Sequence, residues 1–133
     1  MRTEKFMLPC LLCLLALTTI ASAQSAEQML SSCKWIENAK VSGDDVAIPR
    51  DFESGECWGA FGVVQNVIWV ADPSQGRRLF EVCAPSESSR TQLIAIFVDY
   101  VKHNPKTMSD KFFFTARAAL ANAFPCAKTQ ANH

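Results

Sequence analysis

Cys33, Cys57, Cys83 and Cys126 are the side chains best equipped for chemistry in this 133-residue chain. Thiols offer three kinds of it: metal binding, redox exchange and crosslinking. A zinc site needs ligands paired as C-x2–4-C or H-x3–5-H, whereas these cysteines stand about two dozen residues or more apart. A dithiol redox centre needs C-x-x-C, and that spacing occurs only between Cys10 and Cys13, inside an N-terminal leader. The leader itself favours crosslinking. Arg2 and Lys5 supply a positive start, residues 6–20 an apolar stretch, and Ala21-Ser22-Ala23 a small-residue cleavage site. The stretch is about 15 residues, short of the roughly 20 that span a bilayer as a helix. Residues 1–23 therefore read as a cleaved secretory signal. The mature chain would begin at Gln24, lose Cys10 and Cys13, and reach an oxidising compartment where an even set of cysteines pairs. Four cysteines allow three pairings, and spacing alone does not choose among them.

The other polar residues offer less. His103 stands at the end of a helical pattern, where a cation suits the macrodipole, and His133 is the last residue. Around His103 there is no G-x-S-x-G, H-E-x-x-H or cysteine–histidine signature. Asp44-Asp45 with Asp51 fits no calcium loop and reads as a solvated connection. Gly55, Gly59 and Gly62 form no phosphate-binding pattern; inside a helix they point to close approach of another helix or of a disulfide. Trp58 and Trp69 lie three helical turns apart on one face, which is a partner surface if exposed and core if buried. Asp72, Gln75, Arg77 and Arg78, in the most polar loop, are a second candidate for partner binding. No catalytic residue, cofactor site or metal site is expected.

Four helices would have to position these residues. The first is expected over 25–38, with Ser25 and Gln28 as a capping box. A connection follows, punctuated by Gly43 and Pro49. The second helix is expected over about 53–70, because Ala60, Phe61, Val64, Val67, Ile68 and Ala71 recur at helical spacing. The competing reading is a strand over 63–70, where β-branched residues are dense. Asp72 to Gly76 is a turn, and residues 79–82 a short extended piece. The third helix opens on Ser89 with Gln92 as a capping box and ends before Pro105, which disfavours helical backbone in the residue preceding it. The fourth is expected over about 107–124, with Asp110 in its first turn and Phe112, Phe113, Ala116, Ala119, Leu120 and Ala123 along one face. The fold class is all-α, a small disulfide-stapled bundle of four to five helices forming one domain over 24–133. In such an antiparallel bundle the favoured pairs are Cys33 with Cys57 and Cys83 with Cys126. Basic and acidic side chains balance at 13 each, which argues against nucleic acid as a partner and leaves proteins or small molecules.

Taken together, Cys33, Cys57-Trp58-Gly59, Cys83-Ala84-Pro85, Gln92, His103-Asn104-Pro105 and the run from Ala118 to Phe124-Pro125-Cys126 resemble the Rap/Tai immunity protein family. The likeness covers most of residues 24–133 and is most specific over 92–126. In the second helix the chain departs from the family's C-x-G-aromatic-x-x-G arrangement, with Ala60 after the glycine and Gly62 early. The resemblance implies a periplasmic, disulfide-bonded, mainly helical homodimer with its disulfides at these four cysteines. It also implies a role: plugging the cleft of a peptidoglycan amidase delivered by type VI secretion, with no chemistry by the inhibitor and no membrane contact in the mature form. The alternative from another class is a periplasmic stress or chaperone-like helical protein that binds protein clients and exposes apolar surface at low pH.

Overall fold

A computed structural model describes residues 23–42, 45–70 and 80–126, and among these the chain is an all-α bundle of four helices. The first, α1 (Ala26–Cys33), opens on the Ser25–Gln28 capping box: the Ser25 hydroxyl accepts from the Gln28 N–H at 3.2 Å, and the Gln28 side chain accepts from the Ser25 N–H at 2.9 Å. Ala26, Met29 and Cys33 turn inward at helical spacing. The α-helix stops at Cys33 and tightens into a 3-10 helix over Lys34–Asn38, so it is shorter than the periodicity suggests. The chain has no glycine at the α-helix end to cap it, and tightening the last turn is the common alternative. The stretch expected as plain connection holds a minimal antiparallel pair, β1 (Val41–Ser42) and β2 (Asp45–Val46).

Helix α2 (Phe52–Val70) runs 19 residues, about 28 Å, and settles the helix-or-strand question for 63–70 in favour of helix. Its buried residues Cys57, Phe61, Val64 and Ile68 recur every three to four positions, a stripe that only a helix presents to one side. Asp51 caps it, accepting from the Ser54 N–H at 2.7 Å. That hydrogen bond, joined by one to the Ser54 side chain, holds the Asp51 carboxyl below its ordinary value. A carboxylate lowered in this way stabilises the fold above the unfolded-state pKa, and the contribution is lost as pH falls through the folded-state value. Asp51→Asn should therefore flatten the acid limb of a urea-midpoint-against-pH curve while leaving the neutral region little changed; an identical acid limb would contradict this assignment.

Helix α3 (Arg90–His103) starts on half of the expected capping box, with Ser89 accepting from the Gln92 N–H and its hydroxyl also paired with that of Thr91, and ends where the Asn104 side chain donates to the Tyr100 carbonyl. Pro105 then opens a single 3-10 turn, Pro105–Thr107. Helix α4 (Phe112–Ala123) begins five residues later than the pattern predicts, and Asp110 precedes it instead of lying in its first turn. The reason is competition for backbone partners. The Asp110 carbonyl accepts from the Ala26 N–H, the Met108 carbonyl from the Glu27 N–H, and the Phe112 N–H donates to Gln24, so residues 108–112 are stitched to the start of α1. On α4 the buried residues are Thr115, Ala116, Ala119 and Leu120, while Phe113 and Ala123, expected on the inner face, are exposed.

The core is centred on three rings from three helices. Phe61, Phe97 and Phe112 stand 5.4 Å apart in each pair, tilted or edge to face. Two disulfides close the bundle at opposite ends of the chain. Cys33–Cys57 ties the end of α1 to α2, and Cys83–Cys126 ties the segment before α3 to the segment after α4. Beside the second, the Cys83 N–H donates to the Phe124 carbonyl at 2.9 Å. No helix among the described residues is long and apolar enough to cross a membrane.

Candidate protein-binding surface

Helix α2 carries apolar residues on every side, so what its inner stripe leaves over must meet solvent or a partner. What is left over forms two rows, about 100° apart around the helix axis. One runs Trp58, Gly62, Gln65, Trp69; the other runs Phe52, Gly59, Val63, Val70.

Arg90, the first residue of α3, lies across the first row. Its Cζ sits 4.4 Å from the Trp58 ring centroid, a cation–π stack. Its Nε donates to the Gln65 side chain and its Nη1 to the Trp58 carbonyl, both long at 3.4 Å, and Gln65 in turn donates to the Ser88 carbonyl at 3.1 Å. Gly62 makes the stack possible: a β-carbon there would lie 3.1 Å from Arg90 Cζ. Close approach thus accounts for Gly62, and the approaching group is an arginine side chain in place of a helix backbone or disulfide. It does not account for Gly55 or Gly59, where an added β-carbon meets nothing within 4 Å. Gly59→Ala should consequently stabilise the protein by about 1 kcal/mol in urea unfolding, whereas Gly62→Val should displace Arg90 and destabilise it. Equal effects at the two positions would contradict the arrangement.

The two tryptophans have different surroundings. Trp58 is half-buried beneath Arg90, while Trp69 is 50% exposed. On another side of the helix the second row is open: Phe52 is 78% exposed, Val63 61% and Val70 62%. Four large apolar side chains open on one helix make it a candidate for contact with another protein. Asp72, Gln75, Arg77 and Arg78 lie outside the described residues, as do Asp44 and His133. Where the chain is described again, Phe80 packs edge to face on Phe113 at 5.5 Å, and Arg117 donates to the Phe80 carbonyl at 3.3 Å. Glu81 adopts a left-handed backbone, φ 54°, and its carboxylate pairs with Arg117 at 3.4 Å.

His103 is exposed at the end of α3. Its Nδ1 lies 2.9 Å from the Asp99 carbonyl and 3.3 Å from the Asp99 carboxylate. These contacts lie within one helical turn and fix the imidazole to the helix end. It borders an open groove of about 690 Å³ between α3 and α4, floored by Ala95, Ile96 and Ala119. Among the described residues, no group of three His, Cys, Asp or Glu side chains could hold a metal ion. No sequence motif marks Arg90. A cation at the first position of a helix opposes the macrodipole, and that anomaly is its one local signal.

The family model for Rap1a immunity proteins matches residues 25–126, from the cap of α1 to the last disulfide cysteine. No curated protein and no solved structure matches the chain.

Proposed function

The chain belongs to the Rap1a immunity proteins, an immunity family directed at secreted effectors, and from that premise we propose that it inhibits a peptidoglycan amidase delivered by type VI secretion. Inhibition would be by occlusion: the protein fills the amidase cleft and contributes no reacting group. We place it in the periplasm, exported by the leader over residues 1–23, because two disulfides belong to an oxidising compartment. It would act there as a homodimer, as the resemblance to the Rap/Tai family implies.

The observation that carries this reading is the extent of the family match, which takes in all four helices and both disulfides. Physical argument supports it as well. An occluding inhibitor binds tightly only if little ordering is left to be done on contact, and a core crosslinked at both ends meets that need. The exposed aromatic and aliphatic rows of α2 supply the kind of surface on which binding energy concentrates. Purified residues 24–133, mixed with the cell-wall amidases encoded in the same genome, should co-elute with one of them in size-exclusion chromatography. Separate elution from all of them, with amidase activity unchanged, would remove the reading.

A further inference from the structure

We propose that Arg90, stacked on Trp58 on the same side of α2 as the exposed Trp69, is an anchor for an acidic segment of a protein partner: a Glu or Asp carboxylate flanked by apolar side chains. The inference rests on the reading above that the protein acts by binding another protein. Charge is the first argument. Among the described residues Lys102 pairs with Glu37 and Arg117 with Glu81, while Arg90, like the exposed Lys34, Lys40, Arg50, Lys106 and Lys111, has no carboxylate partner. The nearest acids in sequence and on the facing helix are engaged elsewhere, Glu87 with the Ser86 hydroxyl and Glu56 with Ser32. Arg90 is nevertheless half-buried, where an ion pair is screened less than at an open surface.

Preorganisation is the second argument. The guanidinium lies over the Trp58 ring and against Gly62, with Nε and Nη1 bonded to neutral acceptors. Nη2 has no hydrogen-bond partner among the described residues and remains a donor for an incoming oxygen. Long arginine side chains normally lose rotamer freedom on binding; here that loss has already occurred in the free protein. The third argument is the neighbourhood. Trp69 is half exposed one turn beyond Gln65 on the same side of α2, so a carboxylate reaching Arg90 would bring a flanking residue towards apolar surface. Arginine and tryptophan together are the residue types most enriched where interface energy concentrates.

The test uses two blocked tripeptides, acetyl-Leu-Glu-Leu-amide and its Gln counterpart, titrated to millimolar concentration into nitrogen-15-labelled residues 24–133. The expected result is a set of shift changes centred on the Arg90 Nε–H and the Trp58 and Trp69 indole N–H signals, with affinity for the Gln peptide weaker by about tenfold or more. The same changes should vanish in Arg90→Gln; should that variant not fold, the comparison of the two peptides on the wild type decides alone. Equal affinity for both peptides, shifts spread evenly over the surface basic residues, or no shift at these signals would overturn the proposal. So would concentration-dependent broadening of the same signals without peptide, which would assign the face to a second copy of the chain. No amidase enters the experiment, so its failure leaves the immunity reading standing, and failure of the co-elution test leaves this result intact.

Discussion

Phe61→Ala should lower the unfolding free energy by about 3 to 5 kcal/mol, the largest loss expected of any single side chain in the molecule. Phe61 is fully buried, and its ring touches Phe97 and Phe112 at 5.4 Å, so three helices share it. Truncation removes the transfer energy of a whole ring and leaves a cavity that α2, α3 and α4 cannot all move to fill. It also removes two of the three aromatic pairs, each contributing about 0.5 to 1.5 kcal/mol beyond area burial. A small domain is stable by about 5 to 15 kcal/mol, so the variant should be marginal at best. Phe61→Leu keeps most of the volume and should cost clearly less. Urea midpoints followed by circular dichroism measure both, and a loss below about 1 kcal/mol for the alanine variant would contradict the packing described.

The second large effect is loss of a crosslink. A chain-entropy estimate assigns about 3.5 kcal/mol to Cys33–Cys57 and about 4 kcal/mol to Cys83–Cys126, the longer loop contributing more. Burial orders their chemistry the other way. Cys33 and Cys57 are fully buried, while Cys83 and Cys126 are half-buried, so a thiolate reductant reaches the second pair first. Limited dithiothreitol treatment followed by alkylation and mass spectrometry should find Cys83 and Cys126 modified before Cys33 and Cys57. The singly reduced protein should unfold at lower urea than the oxidised one by an amount near the estimate. Modification of Cys33 and Cys57 first, or reduction of the outer pair without loss of stability, would contradict this.

Local chemistry made part of this fold readable in advance. Ser25 with Gln28, and Ser89 before an apolar stripe closed by Pro105, mark helix ends because each satisfies or removes a specific backbone group. The all-α class followed from those signals and from the spacing of Phe61, Val64 and Ile68. What escaped depends on contacts between distant segments. The late start of α4 comes from hydrogen bonds between residues 108–112 and the start of α1, which no local pattern records. The strands β1 and β2 are two residues each, too short for an alternation to appear. The different surroundings of Trp58 and Trp69 were likewise out of reach, since both sit on one side of α2 and only the placement of Arg90 from another helix separates them. Legibility was therefore good for the frame and poor for the surface, where a partner would be chosen.

We propose above that this protein works by occupying another protein's active cleft. The most direct measurement is the rate of peptide release from purified peptidoglycan by the amidase encoded nearest to it, titrated with purified residues 24–133. The rate should fall in proportion to added protein and reach zero near stoichiometric equivalence. A rate that stays unchanged with the protein in excess would contradict it.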